Sequence, residues 1–292
     1  MAVFGKVNPT RRDYTVGDPE FAGLQRREET ILANLGLSPE FFRGTRVLDA
    51  GCGTGDIALL TARWGADTCA FDLNRESVAH AMLMAERTGL QGRCRFVQGS
   101  VLAPPFAGPF DLVMCLGVLP HTGDPERAFG RLASLVRPGG YLYIASINTY
   151  GFALRRAKRA VVDLLSGGKP ERKAALAKIL WRNHVARAAR FGFRTPDQIA
   201  WDNFVAPHLT ASVGQWLSWM HSNGLEYVSS FPSFFQLTLP PAHRGAVAPV
   251  APVAPPRSAL VRRVKAVLVQ FRWAAAFRVG GLASISFLAR KR

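Results

Sequence analysis

The stretch "RVLDAGCGTGD", Arg46 to Asp56, joins a short apolar run to a helix-forming one through glycines at alternate positions, Gly51, Gly53 and Gly55. A strand that ends in such a turn and restarts as a helix belongs to a strand–helix–strand unit, and this constrains the fold more than any other feature of the chain. The alternation continues. "GDIALLTARWG" reads as a helix, "DTCAFDL" as a strand, "RESVAHAMLMAERTG" as a helix and "CRFVQGS" as a third strand. "FDLVMCLGV" makes a fourth, buried strand, "DPERAFGRLASLV" a helix, and "GYLYIASI" a fifth strand after the "RPGG" turn. Farther on, "SVGQWLSWMHSNG" reads as a helix capped by Gly224, "LEYVSSF" as a sixth strand and "LASISFLARK" as a seventh. The pattern predicts an α/β chain with a doubly wound, seven-stranded, mostly parallel sheet, whose ligands bind at the carboxyl ends of the strands.

What the glycine turn holds is narrowed by its neighbours. A phosphate-cradling NTPase loop needs Gly-Lys followed by Ser or Thr, whereas Gly55 is followed by Asp56. A dinucleotide site prefers G-x-G-x-x-G, and the carboxylate of Asp49 would repel a pyrophosphate. An acidic group at that point suits a ligand that carries positive charge; a plain tight turn without a ligand is the alternative. Asp72 ends the second strand 21 residues after Gly51, the spacing at which a carboxylate meets ribose hydroxyls in nucleoside-binding α/β folds. Asp49 and Asp72 together describe a ligand with a cationic group at one end and a ribose at the other.

Charge divides unevenly along the chain. Residues 1–150 hold 15 basic and 15 acidic groups, residues 151–200 hold 12 and 3, residues 201–239 none and 2, and residues 240–292 hold 10 and none. The net charge of +17 therefore sits in two segments beside the glycine-loop region, an electrostatic footprint for nucleic acid, anionic lipid or an acidic substrate, or else a solvated surface. Cys52, Cys69, Cys94 and Cys115 are far apart, with no CxxC and no His at ligand spacing, so neither a disulfide framework nor a metal site is expected. The opening residues hold no apolar core of signal-peptide length and no charge-free apolar run approaches about 20 residues, so neither a signal peptide nor a spanning segment is expected, and a cytoplasmic location is expected.

After Asn148 the pattern changes to basic amphipathic helices. "GFALRRAKRAVVDLL" places Leu154, Ala157, Val161 and Leu164 on one face, and "ERKAALAKILWRNHVARAAR" reads as one further helix. "PPAHRGAVAPVAPVAPP" is a stiff linker by composition, and the helix after it sets Leu260, Val264, Leu268 and Phe271 opposite Arg262, Lys265 and Arg272. That apolar face is expected to dock on the sheet, with peripheral contact to an anionic membrane as the alternative.

"VLDAGCGTG", followed in order by "FDLN", "FDLVMCLGVLPHTGDPERAF" and "LVRPGGYLYIAS", resembles the class I S-adenosylmethionine-dependent methyltransferases over about residues 40–147. The resemblance implies a Rossmann-like fold with a helical cap insertion, and S-adenosylmethionine as cofactor with S-adenosylhomocysteine as product. It implies that Gly51, Gly53 and Gly55 line the methionine portion, Asp49 faces the ammonium group and Asp72 holds the ribose. It also assigns Leu73, Ser100, Val101 and Leu116 to the cofactor pocket, Ser100 standing where many members place an Asp near the adenine amine. His121, after the fourth strand, falls near the transferred methyl, where an imidazole can act as general base.

Beyond Asn148 the chain is similar to a subset with a Tyr-Asn-x-Tyr-Gly-Arg segment and a later D-x-Y-x-H-P element. It keeps Asn148, Tyr150, Gly151, Asp202, Pro207 and Trp219 but has Ile147, Phe152, Phe204 and Ala206 where that pattern has Tyr, Arg, Tyr and His. Tyr14, Asn148, Tyr150 and Asp202 are the candidate acceptor-pocket residues, and Phe21 belongs with Tyr14 to a lid. The expected organisation is a helical lid at 1–44, a cofactor core at 45–147, a basic helical cap at 148–210, a core helix and sixth strand at 211–239, a Pro/Ala-rich linker at 240–256, and an amphipathic helix with the last strand at 257–292. The expected reaction is methylation of an O, N or C atom of a small organic acceptor in specialised metabolism. The rivals are a nucleic-acid methyltransferase, which the charge favours but "GVLPHT" does not match, and a cofactor-binding interaction protein without activity.

Overall fold

Val47, Leu48 and Ala50 of strand β1 (Arg46–Ala50) are fully buried, which is why this strand reads as a continuous apolar run rather than an alternating one. The computed structural model describes residues 19–147, 149–150, 152–192, 195–231, 233–235, 255–276 and 284–292. Among these, 152–208 form one compact unit and the remainder, which holds the sheet, forms the other.

In the sheet unit, helix α1 (Pro19–Leu35) precedes β1 and buries Leu32 and Leu35 against Phe42, Val47, Leu112 and Tyr143. The glycine turn leads from β1 into α2 (Asp56–Arg63), followed by β2 (Asp67–Asp72), α3 (Arg75–Arg87), β3 (Cys94–Gln98), β4 (Phe110–Leu116), α4 (Pro125–Ser134) and β5 (Val136–Ile147). The strand order is β3-β2-β1-β4-β5-β7-β6, where β6 is Leu225–Phe231 and β7 is Ser284–Lys291. β7 runs antiparallel between β5 and β6, and the other pairs are parallel. The chain thus forms the doubly wound, Rossmann-like, seven-stranded α/β sheet. The order reverses between β1 and β4, so the crevice for a ligand opens at the carboxyl ends of those two strands.

β5 starts at Val136, earlier than "GYLYIASI", because the "RPGG" stretch lies inside the strand as an irregularity opposite Phe110–Leu112. Asp111 pins it there: its carboxylate accepts from the Arg46 amide at 2.8 Å and from Arg137 Nε at 2.6 Å. Helix α9 (Val213–Ser222) starts with a capping box of Ser212 and Gln215, and ends at Asn223 and Gly224, the latter at φ 66°. Its Trp216 and Trp219 sit edge to face at 4.8 Å in the main core with Phe129 and Phe287.

Helix α10 (Ala259–Ala276) buries Ala266, Val269 and Gln270 and leaves Leu260, Val264 and Leu268 exposed. This corrects the expectation that Leu260, Val264 and Leu268 dock on the fold; the Phe271 side chain lies outside the described residues. The polar partner decides the orientation. Gln270 Oε1 accepts from the Val213 amide at 3.0 Å, one of the amides that the start of α9 leaves without an intrahelical acceptor, and Gln270 Nε2 donates to the Ala266 carbonyl at 2.7 Å. Of the expected linker, 240–256, residues 240–254 also lie outside the described residues, as do Tyr14 and the side chain of Phe21.

In the second unit, α5 (Ala153–Ser166) buries Val162 while Leu154, Val161 and Leu164 are exposed, Leu164 at 83%. The apolar face of Leu154, Ala157, Val161 and Leu164 is thus left exposed. Hydrogen bonds set the rotation: Arg155 Nη1 donates to Asn203 Oδ1 at 2.8 Å and Arg159 Nη1 to the Asn203 carbonyl at 3.0 Å. The stretch expected as one helix is two, α6 (Pro170–Leu180) and α7 (Arg182–Gly192), broken at Trp181 (φ −120°, ψ 31°). The break lets Val185 and Ala189 share a core with Ala174, Ala177 and Phe204. A capped helix α8 (Pro196–Ala200) runs into a π-helical turn at Trp201–Val205.

Gln270→Ala should destabilise the protein by about 1 to 3 kcal/mol, because the buried Val213 amide loses its acceptor. Urea unfolding checks this.

Candidate functional site

The three glycines adopt the left-handed region, at φ 84°, 54° and 86° for Gly51, Gly53 and Gly55. Two of them are also packed: a Cβ on Gly51 would collide with Val118, and one on Gly55 would lie 2.7 Å from Ala81 and 3.1 Å from the Phe96 ring. Gly53 has open space on its Cβ side. The loop is held from behind, since the Gly51 and Cys52 amides donate to the Phe71 carbonyl and the Gly53 amide donates to Asp72 Oδ2 at 2.9 Å. The other Asp72 oxygen, Oδ1, accepts from the Asn74 amide at 2.8 Å. Asp72 thus shapes the turn that it borders, and each of its oxygens retains acceptor capacity.

Asp49 lies on β1 next to this turn, only 3% exposed. Burial pushes its carboxyl up to about 7, and the neighbouring charges of Asp72, Asp56 and Glu28 push in the same direction; a backbone hydrogen bond from Ala58, in the first turn of α2, works against them. The side chains that bear on it are all acidic. The Cys52 thiol is likewise held well up, by burial first and then by Asp49 and Asp72, and is correspondingly unreactive. Carboxyl groups gathered around a buried one make this a place for a cation.

Around this centre stand most of the residues that the sequence nominates. Leu73 follows Asp72 and is 45% exposed, a large apolar side chain at the pocket's edge. Asp72 pairs with Gln98 across β2 and β3, which brings the following loop, with Ser100, alongside; Ser100 Oγ accepts from the Leu102 amide at 3.3 Å. Val101 is buried in the main core, leaving its backbone as the part that a ligand can meet. Leu116 ends β4, two residues beyond Met114, the partner of Asp49. His121 closes a short 3-10 turn, Leu119–His121, on the same strand exit as Val118, which packs on Gly51. The Pro120 carbonyl accepts from the Leu209 amide at 2.7 Å and ties the turn to the chain before α9. Tyr150 is half-buried after β5; Asn148 and Tyr14 lie outside the described residues.

Asp202 belongs to the other unit, on the π-helical turn. Its carboxylate stands 3.9 Å from His208 Nε2, while His208 Nδ1 lies 3.2 Å from Arg159 Nη1 and its ring stacks on Phe152 at 5.0 Å. Phe204 and Ala206, where the related pattern has Tyr and His, are buried there. Sequence reasoning missed Glu28. It is 6% exposed and bears on Asp49, and its spacing from Leu32 and Leu35 along α1 is the signal that places it on the inward face.

Residues 24–230 match the family model of a methyltransferase domain, and the chain belongs to that family. It is 33% identical over 174 residues to a ubiquinone biosynthesis O-methyltransferase of Psychrobacter arcticus, a match spanning 58% of this chain and 65% of that protein. With the enzyme of the same name from Xanthomonas axonopodis it shares 41% identity over 105 residues, 36% of this chain and 44% of the relative. The chain thus spans less than two thirds of these relatives. Among solved structures it is similar to PKMT2 of Rickettsia typhi in complex with AdoHcy, at a TM-score of 0.59 and 15% identity over 97% of this chain and 56% of that one. It is also similar to the magnesium protoporphyrin IX methyltransferase of Synechocystis, at 0.51 and 16% over 100% and 94%, and to the [4+2]-cyclase SpnF, at 0.50 and 16% over 99% and 90%. At such identities the likeness is one of fold.

Asp49→Asn should stabilise the ligand-free protein at pH 8 by about 1 to 3 kcal/mol. The folded carboxyl stays protonated up to about pH 7 while the unfolded one ionises near pH 4, so native stability declines as pH rises between those values. The variant escapes that decline. Urea unfolding of both proteins at pH 4 and pH 8 checks it: the difference should be small at pH 4 and full at pH 8.

Proposed function

We propose that this chain transfers a methyl group from S-adenosylmethionine to a hydroxyl oxygen of a small organic acceptor. The observation that carries the reading is the buried Asp49 carboxyl, whose electrostatic neighbours Asp72, Asp56 and Glu28 are all acidic, beside a turn whose Gly53 opens toward the ligand. A sulfonium nucleoside with an ammonium group supplies the positive charge that such a pocket lacks. Asp49 holds the ammonium, and the free lone pairs of Asp72 take the ribose hydroxyls. Leu73 lies against the adenine, with the Ser100 hydroxyl and the Val101 backbone at its edge, and Leu116 closes the methionine side.

When bound, the cofactor supplies an electrophilic methyl on a good leaving group. The protein's share is alignment and one proton. His121, at the exit of β4, takes the acceptor's hydroxyl proton as the oxygen attacks, and Tyr150 and Asp202 are pocket candidates for the acceptor. Oxygen as the methylated atom is supported by the O-methyltransferase names of the curated relatives. A role in specialised metabolism is part of the same proposal. The fold alone does not settle the reaction, because a cyclase shares it.

Asp72→Ala should weaken S-adenosylmethionine binding about 10- to 150-fold by calorimetry, losing charge-assisted bonds and the anchor of the Gly53 amide together. His121→Asn should lower turnover about 10²- to 10⁴-fold while leaving cofactor affinity nearly unchanged. Equal turnover of variant and native protein would leave alignment as the whole mechanism.

A further inference from the structure

Helix α10 turns outward the residues that a buried amphipathic helix keeps inside. Leu260 is 71% exposed, Leu268 49%, Val264 48%, Val267 45% and Val261 41%. At about 100° per residue these five positions fall in one arc of roughly 120°, opposite Ala266, Val269 and Gln270, which carry the contact with α9. Lys265 is exposed at the margin of the arc, and Arg257 is exposed just before the helix. The helix carries Arg262, Arg263, Lys265 and Arg272 and no acidic residue, within a segment, 240–292, that holds ten basic residues and no acidic one.

Charge selects the occupant of this face. A second copy would set the flanking cations Arg257 and Lys265 of one chain near those of the other and repel. A nucleic acid is read by outward cations, and here the outward residues are five aliphatic side chains. An anionic bilayer satisfies both halves of the pattern, since acyl chains accept the apolar arc and head-group phosphates accept the flanking cations. We propose that α10 lies in the interface of an anionic membrane, with Leu260, Val264, Val267 and Leu268 among the acyl chains and Arg257 and Lys265 at the phosphates. The contact is peripheral: among the described residues no helix is long and apolar enough to cross a membrane.

Flotation of the full chain with vesicles tests this, using phosphatidylcholine alone or mixed with phosphatidylglycerol, at low and high salt. The expected result is flotation with the anionic vesicles at low salt and a loss of at least about tenfold at high salt or with neutral vesicles, because screening removes the electrostatic attraction. Val264→Glu and Leu268→Glu should each lower the bound fraction by at least about tenfold with an unchanged melting temperature, since both positions are exposed. Lys265→Glu should shift the loss of binding to lower salt. Absence of native protein from anionic vesicles at low salt would overturn the proposal, and so would equal binding of Val264→Glu and the native chain. Concentration-dependent dimerisation by light scattering, abolished by Val264→Glu and without vesicle binding, would assign the face to a second copy and overturn it as well.

Discussion

The structure is organised around a carboxyl group kept out of water. Asp49 sits on an interior strand, where its neighbours along the chain, Val47, Leu48 and Ala50, are fully buried, and its electrostatic neighbours make its ionisation harder. A buried acid surrounded by acids is unfavourable for folding, so the arrangement makes physical sense as preparation for a cation. The surrounding features follow from that need. The glycine turn leaves open space beside Gly53, Asp72 fixes that turn through the Gly53 amide, and Val118 fills the space that any side chain at Gly51 would take.

Much of this was legible in the sequence because it is local. Strand–helix alternation from Arg46 to Ile147 follows from apolar runs and turn residues, and the glycine spacing with Asp49 and Asp72 marks the site before any coordinates. What was not legible depends on partners distant in sequence. The rotation of α10 is set by the Val213 amide, 57 residues from Gln270, and that of α5 by Asn203, 48 residues from Arg155. In both helices the apolar stripe is left exposed, and a polar side chain with a specific partner, Gln270 in α10 and Arg155 in α5, is turned in instead. Glu28 escaped for the same reason: its effect on Asp49 arises only when α1 packs on the sheet.

The two basic segments find different uses. In the 152–208 unit, Arg155 and Arg159 turn inward and donate to Asn203 and His208, with burial lowering the pKa of both, while Arg156, Arg172 and Arg182 stay exposed. At α10, Lys265 stays exposed beside an aliphatic arc. A net charge of +17 is therefore not one property of the surface.

The central claim is that the Asp49 pocket receives a cation and ionises when it does. Calorimetric titration with S-adenosylmethionine in two buffers of different ionisation enthalpy counts the protons released on binding. With the carboxyl at about 7 in the ligand-free protein, binding at pH 6 should release about 0.9 proton, falling toward zero above pH 8, and Asp49→Asn should abolish the release. Tight binding with no proton release at pH 6, or the same release from the Asn variant, would contradict the account.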